Sequence, residues 1–180
     1  RRIGGPPSGT IEDLNPNEAI IEAPSNANIL NAVKVSGRTK KGLGVGFLNS
    51  ITERTYATIR DSVTGSTQKK LIEPITNYNV FVLDQVFNGN SSVSIINTNV
   101  LRDGSDFRDA NVTAGVFSIA DKENRFRTSG RAIVSNVNNG DGYKSGFQSE
   151  FDVFRTKGNF RYRVGHDVPC WLFRSRRSFL

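Results

Sequence analysis

Side chains alternate most regularly in one stretch of the sequence: Tyr143-Lys144-Ser145-Gly146-Phe147-Gln148-Ser149-Glu150-Phe151-Asp152-Val153-Phe154. Successive side chains of a β-strand point to opposite faces of its sheet. This stretch would therefore place Tyr143, Phe147 and Phe151 on one face, named the apolar face, and Glu150 and Asp152 on the other, named the charged face. The pattern is typical of an antiparallel sheet whose two faces meet different environments.

The segments on either side of this stretch repeat the alternation. Apolar side chains recur at every second position, and arginines occupy positions between them. The apolar face gains Phe160 and Tyr162, and the charged face gains Arg125, Arg127, Arg131, Arg161 and Arg163. The charged face is therefore predicted to be rich in arginine.

A symmetric hairpin at residue 157 would fix the register of the last two strands. It would place Asp152 opposite Arg161 and Glu150 opposite Arg163. A slip by one residue would set each acid against an aromatic ring, so the parity is well specified. A second hairpin, across residues 138–142, would bring Arg127 close to Asp152. The prediction is a polar ladder made of Arg125, Arg127, Arg131, Glu150, Asp152, Arg161 and Arg163.

Turn signals divide the rest of the chain into candidate strands. Clusters of Gly, Asn, Asp, Ser and Lys separate the alternating runs, whereas Pro and Gly within residues 1–28 favour neither helix nor strand. We predict an irregular strap at 1–28, an antiparallel segment at 29–168 and an atypical tail at 169–180. Candidate strands lie near residues 29–37, 42–52, 54–61, 75–87, 91–101, 110–120, 125–137 and 143–168, the last folded back at residue 157.

The composition excludes several classes of protein. The chain has 180 residues with a single Cys and a single His, too few for an internal disulfide or a zinc site built from such ligands. Its longest apolar runs fall far short of the roughly 20 residues of a membrane-spanning helix. The net charge of +7 is spread along the chain without a nucleic-acid-binding motif. Nucleic acid is therefore not a predicted partner.

The spacing of the turns favours long strands. From Gly89 through Gly104, Asn124 and Gly140 to Lys157, turn signals are 15 to 20 residues apart, whereas soluble sandwiches turn about every 8–12 residues. Strands of this length match those that cross a bilayer in a barrel. The fold prediction is therefore all-β: an antiparallel meander of about eight long strands that forms a partial or open outer-membrane β-barrel.

A barrel would assign an environment to each face of the sheet. The polar ladder would line an aqueous lumen. Eight strands alone enclose a space that side chains fill, so an arginine-rich lumen calls for a wider barrel with strands from outside this chain. A soluble sheet whose apolar face packs on a second layer is the alternative. In the barrel, the lipid-facing residues would be Tyr143, Phe147, Phe151, Val153, Phe160 and Tyr162.

Catalytic signatures are weak. Gly42-Leu43-Gly44-Val45-Gly46 superficially resembles a phosphate-binding loop, but it lies inside an alternating strand with no helix after it. Glu150 and Asp152, two residues apart on one face, could act as glycosidase carboxylates. The arginines expected beside them oppose a general-acid role. We therefore predict that the chain is not an enzyme and has no cofactor and no metal site.

Four segments carry a resemblance to a known family: Arg1 to Gly4, Asn31 to Thr39, Gly42 to Asn49 and Glu73 to Tyr78. In this order they resemble the barrel portion of the bacterial family DUF5916, over residues 1 to about 165. The resemblance implies an outer-membrane location and a carbohydrate-binding module of the family-nine type upstream of this chain. It also implies the lipid bilayer and a glycan as partners, with glycan-related binding or uptake as the function.

The resemblance ends near the C-terminus. After Val168 the chain contains its only Cys, Cys170, its only Trp, Trp171, and a cluster of arginines. A frame shift or truncation in the source gene is one hypothesis for this change, and a basic, aromatic anchor at a membrane interface is the other. Two alternative functions stay open: a soluble periplasmic carbohydrate-binding β-sandwich, and part of a glycan hydrolase.

Overall fold

A computed structural model describes residues 3–7, 14–104, 107–138 and 142–175, with side chains as far as residue 169. Every regular element in these residues is a β-strand. The strands are β1 (Glu18–Glu22), β2 (Ile29–Arg38), β3 (Leu43–Thr52), β4 (Thr55–Asp61), β5 (Thr67–Glu73), β6 (Thr76–Phe87), β7 (Ser91–Arg102), β8 (Asp109–Ala120), β9 (Phe126–Asn138), β10 (Tyr143–Arg155) and β11 (Tyr162–Ser175).

Eight of these strands form one antiparallel sheet, in the order β11-β10-β9-β8-β7-β6-β3-β2. The strands are long because the alternating runs are uninterrupted: β6, β7 and β8 have 12 residues, and β9 and β10 have 13. Asn88 and Gly89 make the turn between β6 and β7 with positive φ, a conformation that these two residue types adopt at low cost. The predicted all-β meander of eight long strands is confirmed.

The large sheet is open. Strands β2 and β11 form its two edges: in the part of the chain that the structure describes, β2 pairs only with β3 and β11 only with β10, and the two edges do not pair with each other. No closed barrel is therefore formed by these residues.

The other three strands form a small sheet in the order β1-β4-β5. This differs from the prediction, which places residues 54–61 in the meander, treats residues 18–22 as irregular and assigns no strand at 67–73. The sequence of β5, Thr67-Gln68-Lys69-Lys70-Leu71-Ile72-Glu73, has no alternation with a period of two. Its strand conformation comes from pairing with β4, which a local pattern does not reveal.

The region that holds most of the deeply buried side chains consists of the small sheet and the adjoining ends of β3 and β6. Ala57 and Ile59 of β4 and Ile72 of β5 are its main apolar members. Thr52 and Thr76, which pair across the ends of β3 and β6, are also fully buried. We name this region the junction. It is the main buried core in the described residues.

The hairpin between β10 and β11 differs in register from the prediction. Asp152 lies opposite Gly165 instead of Arg161, and Val153 lies opposite Val164. The partner of Asp152 is thus residue 165 and not residue 161, a shift of four positions. An even shift keeps every side chain on its predicted face, because the period of a strand is two.

Contacts with the preceding turn explain the longer connection, which spans residues 156–161. Thr156 N donates to Arg125 O at 2.8 Å, and Lys157 Nζ donates to Glu123 O at 2.8 Å. The chain therefore continues along the β8–β9 turn before it reverses. Strand β11 then runs to Ser175, past the predicted end at residue 168. Residues 176–180 of the predicted tail lie outside the described part of the chain.

Candidate functional site

The charged face of β10 and β11 holds a bidentate ion pair. Arg163 Nε lies 2.7 Å from Asp152 Oδ1, and Arg163 Nη2 lies 2.9 Å from Asp152 Oδ2. Gly165, directly opposite Asp152, leaves room for this contact, because a Cβ at Gly165 would overlap the carboxylate. The side chain of Asp152 is only 7% exposed. Its charge is therefore compensated by Arg163.

Glu150 extends this pair into a row across three strands. Its Oε2 lies 2.8 Å from Nε of Arg131, its direct partner on β9, and its Oε1 lies 3.8 Å from Nη2 of Arg163 on β11. Guanidinium groups thus satisfy the carboxylate oxygens that a general acid or a nucleophile would need. We name these four side chains the charged row: Arg131, Glu150, Asp152 and Arg163.

Three arginines of the predicted ladder lie elsewhere. Arg127 is on the charged face, but its Nη1 donates to Ser118 Oγ of β8 at 3.0 Å. Arg125 lies in the turn before β9, where its Nε is 3.0 Å from Oε2 of Glu123. Arg161 lies in the exposed connection before β11. The predicted pairing of Asp152 with Arg161 is therefore wrong, because the longer connection carries Arg161 beyond the end of β10.

A second ion pair on the charged face is absent from the prediction. Arg38 of β2 and Asp84 of β6 form it, and Ser94 Oγ of β7 donates to Asp84 Oδ1 at 2.8 Å. The side chain of Arg38 crosses the backbone of Gly44, where a Cβ would lie 3.1 Å from Nη2. A groove of 360 Å³ opens along Gly44 and Gly46. The alternating glycines of β3 are visible in the sequence. The pairing of β3 with β6 is not, because β4 and β5 lie between these two strands in the chain.

The apolar face is exposed across the sheet. Phe47, Phe81, Ile95, Phe147 and Phe151, which come from four strands, are each between 38% and 49% exposed. Among the described residues, no second layer packs over them. The large sheet therefore presents a broad apolar surface outward.

Strand pairing places most of the predicted lipid-facing residues on the apolar face: Tyr143, Phe147, Phe151, Val153 and Tyr162. Phe160 instead lies in the β10–β11 connection, with its ring centroid 5.9 Å from that of Tyr162. Phe117 of β8, which is not among the predicted residues, has its ring centroid 6.3 Å from that of Phe151. Its ring covers Gly130, where a Cβ would lie 2.7 Å from Cε1.

Aspartates organise two of the turns. In the β8–β9 turn, Asp121 Oδ1 accepts hydrogen bonds from Phe126 N at 3.0 Å and Arg125 N at 2.6 Å. The hydrogen bond from Phe126 is the main cause that lowers the pKa of Asp121. In the β4–β5 turn, the hydrogen bond from Thr64 N to Asp61 Oδ1, at 3.0 Å, likewise lowers the pKa of Asp61. Both turns therefore favour an ionised carboxylate.

A polar cleft of 290 Å³ lies beside the small sheet. Tyr56 of β4 contributes a half-exposed ring, and Lys69 of β5 lines the cleft with it. At its rim, Asn28 Nδ2 donates to Glu53 Oε1 at 2.5 Å. An aromatic ring surrounded by amide, carboxylate and ammonium groups is suited to the apolar face and the hydroxyls of a sugar. The small sheet assembles these residues from distant positions, so the sequence pattern does not reveal the cleft.

A buried ion pair connects the two sheets at the junction. Glu73, at the end of β5, has its Oε1 3.7 Å from Nε of Arg102 on β7. The hydroxyl of Thr76 donates to the same Glu73 oxygen at 3.2 Å. Both charged side chains are more than nine-tenths buried, so their contact fixes the position of the small sheet against the large one.

The described residues include no helix with the length and apolar character needed to cross a membrane. They also bring no three His, Cys, Asp or Glu side chains together as a group that could hold a metal ion.

Comparison with known proteins identifies a family. A family model described as "Domain of unknown function (DUF5916)" matches residues 1–171. The match extends from before β1 into β11. No curated protein and no solved structure matches the chain. The similarity is therefore to a family and not to an individual protein.

Proposed function

The chain belongs to the DUF5916 family, and we propose that its large sheet is a membrane-spanning segment of a bacterial outer-membrane β-barrel. The segment has no chemistry of its own, and its role is glycan-related binding or uptake. The observation that supports this most directly is the exposed apolar face of the large sheet.

The apolar face is too extensive for an ordinary water-exposed surface. Eight strands spaced about 4.8 Å apart make a surface roughly 35 Å wide, and exposed large apolar side chains recur on strands from β2 to β11. Monomeric soluble proteins rarely expose contiguous apolar patches beyond a few hundred Å². Contact with hydrocarbon would remove this surface from water, at a gain of about 25 cal/mol per Å².

The charged face fits the inside of a barrel. Its ion pairs, Arg163 with Asp152 and Arg38 with Asp84, belong to strands near opposite ends of the sheet. The arginine side chains of these pairs are exposed, whereas the aspartates are mostly covered, and an exposed guanidinium group costs little where water surrounds it. A wet lumen is such an environment.

The open edges set a condition on the proposal. In a bilayer, the N–H and C=O groups of an edge strand have no water to bond to, so a spanning sheet must close. The proposal therefore requires further strands that pair with β2 and β11. These strands would come from parts of the protein outside the described sheet.

A pair of adjacent residues on β7 tests the proposal. Ile95 lies on the apolar face and Ile96 on the charged face. In the protein that includes the strands closing the sheet, Ile95→Arg is expected to reduce insertion into phosphatidylcholine vesicles strongly, since an arginine facing the bilayer centre costs about 2–4 kcal/mol. Ile96→Arg is the matched control and should insert like the wild type. Flotation of the vesicles on a density gradient measures both.

The soluble alternative predicts a different result. A carbohydrate-binding sandwich would be a monomer in buffer without detergent and would not float with vesicles. That outcome would overturn the membrane assignment. If the chain were part of a glycan hydrolase, Glu150→Gln would abolish turnover of an oligosaccharide, whereas the proposal expects no turnover for Glu150→Gln to change.

The glycan part of the proposal concerns the cleft beside Tyr56. Stacking of a sugar on this ring, with hydrogen bonds to the amide and carboxylate at the rim, would bind an oligosaccharide. Tyr56→Ala is expected to abolish retention on immobilised oligosaccharides. Tyr162→Ala, which removes a similarly exposed ring from the large sheet, is the control. Equal retention of wild type and Tyr56→Ala would exclude the cleft as the binding site.

A further inference from the structure

Strand pairing arranges asparagines in a row across the apolar face. Each member lies directly opposite the next, on successive strands from β3 through β10. We name this set the asparagine row: Asn49, Asn79, Asn99, Asn111, Asn136 and Ser145.

Among the described residues, hydrogen bonds join most side chains of this row, all except that of Asn99, to one another or to neighbouring amides. Asn49 Nδ2 donates to Asn79 Oδ1 at 2.8 Å, and Ser145 Oγ donates to Asn136 Oδ1 at 2.7 Å. A depression of 230 Å³ opens on the row between Leu101 and Tyr143. The row is thus a polar stripe with an opening suited to water or to another polar group.

A charge-free band begins directly beside the asparagine row. The band consists of the next four rows of cross-strand partners on the apolar face, counted from the asparagine row toward the β6–β7 and β8–β9 turns. Among the described residues these four rows contain no Asp, Glu, Lys or Arg. Its polar members are uncharged ones such as Gln85, Asn97 and Thr113, together with His166 on the edge strand. Its large apolar members are Val35, Leu43, Val45, Phe47, Phe81, Leu83, Phe87, Val93, Ile95, Phe117, Ile119, Val134, Phe147, Phe151, Val153, Val164 and Val168.

A second boundary ends the band. Arg155 pairs with Phe126 on one side and with Tyr162 on the other. The guanidinium carbon of Arg155 lies 5.8 Å from the centroid of the Phe126 ring. A cation stacked on the Phe126 ring, with a tyrosine as its other cross-strand neighbour, is the kind of group that resides where hydrocarbon meets water. We name these three residues the Arg155 row.

The distance between the two boundaries matches a bilayer. From Asn136 to Phe126 on β9 is ten residues, and from Ser145 to Arg155 on β10 is also ten. Ten residues extend about 34 Å along a strand. With the tilt of about 35–45° that is usual in barrels, this becomes roughly 24–28 Å along the membrane normal. The outward apolar band of an outer-membrane barrel is about 25 Å tall.

We infer that the asparagine row and the Arg155 row mark the two membrane–water boundaries of the large sheet. The band between them contacts phospholipid acyl chains, and the asparagine row lies among the headgroups. In hydrocarbon, a row of five carboxamides would lose more bonds to water than the two carboxamides of the band, Gln85 and Asn97, so the headgroup level is where this row is stable. The inference rests on the proposed function and adds the depth at which the sheet lies.

Spin labels along β9 test this depth. The full chain with Cys170→Ser carries a single new cysteine, at Asn136, Val134, Ala132, Thr128 or Phe126, labelled with a nitroxide in phosphatidylcholine vesicles. Oxygen concentrates in the acyl region and a nickel chelate stays in water. The ratio of oxygen to nickel collisions is expected to peak at residue 132, several-fold above the values at residues 136 and 126.

Labels at Ser129 and Ser135 serve as the matched control, because these residues of β9 face the charged side of the sheet. Their nickel collisions should exceed those at residue 132. Labels at Asn99 and Ile95 repeat the boundary and band comparison on β7, so that one variant that fails to fold does not decide the result. A maximum at residue 136 would overturn the boundaries while leaving membrane insertion intact. High nickel collisions at every position would instead overturn the proposed function itself.

Discussion

The large sheet and the junction are stabilised in different ways. At the junction, Ala57, Ile59 and Ile72 are buried, and the ion pair of Glu73 with Arg102 is enclosed with them. The large sheet has long backbone ladders and cross-strand side-chain pairs, but many of its large apolar side chains are exposed. The junction thus carries its own core, whereas the large sheet depends on whatever covers its apolar face. The difference shows that strand alternation can specify a sheet without providing a core for it.

Truncation of isoleucine should separate the two regions most clearly. Ile59, at the junction, is 1% exposed, and truncating a buried isoleucine costs about 2–5 kcal/mol of unfolding free energy. We expect Ile59→Ala to lose an amount in that range. Ile95→Ala, on the apolar face, should lose less than about 1 kcal/mol, because no protein cavity is created. Urea denaturation in detergent micelles, followed by circular dichroism, measures both. Equal losses would mean that a protein layer covers Ile95.

A methyl group added to a glycine tests packing within the large sheet. At Gly130 a Cβ would lie 2.7 Å from the ring of Phe117 and 2.9 Å from Glu150 O. Gly130→Ala is therefore expected to cost about 1–3 kcal/mol of unfolding free energy. At Gly115 of the neighbouring strand, no atom lies within 4 Å of the added carbon. Gly115→Ala should change stability by less than about 0.5 kcal/mol in the same assay.

If both glycine variants had the same stability, the contact of Phe117 with Gly130 would have no energetic weight. The apolar face would then be a surface without internal packing. The contrast with the junction would become sharper than the structure indicates.

The meander could be predicted from the sequence because its information is local. Strands β6 to β9 alternate without interruption between strong turn residues such as Asn88 and Gly89, and their predicted bounds lie within one residue of the observed ones. The faces were predictable for the same reason. Side-chain parity survives any even change of register, so Asp152 and Phe151 lie on the expected faces although their partners differ.

The small sheet and the junction could not be predicted in this way. Strand β1 has five residues, and the charged half of β5 carries no alternation. Their pairing with β4 depends on contacts between residues far apart in sequence. The register of β11 also depends on tertiary bonds, since Thr156 is held by the β8–β9 turn. The polar cleft beside Tyr56 follows from the same long-range pairing and was missed with it.

Neutralising one arginine tests the observed register of the charged row. Arg163→Gln removes both hydrogen bonds to Asp152, whose side chain is almost buried, and should lower the urea midpoint. Arg161→Gln, in the exposed connection, should leave the midpoint unchanged. The predicted hairpin would give the reverse ranking. A double-mutant cycle with Asp152→Asn measures the coupling, which is expected for Arg163 and absent for Arg161.

The smallest effect is expected from lowering the pH. It compares two turns, one in each sheet, in which an aspartate accepts backbone hydrogen bonds. The pKa values of Asp121 in the large sheet and Asp61 in the small sheet are lowered by backbone hydrogen bonds. Each carboxylate therefore contributes stability that is fully present above its unfolded pKa, about 3.9, and is lost as the pH falls through the folded value. Asp121→Asn and Asp61→Asn keep an acceptor oxygen but no longer titrate there, so each should flatten the fall in urea midpoint between about pH 5 and about pH 2.

Glu123→Gln, which alters the same turn as Asp121 without touching these hydrogen bonds, should leave the fall unchanged. Because both carboxylates accept the same kind of backbone hydrogen bond in a turn, the two aspartates should behave alike, and a flattening confined to Asp61→Asn would show that the difference between the regions extends to their turns.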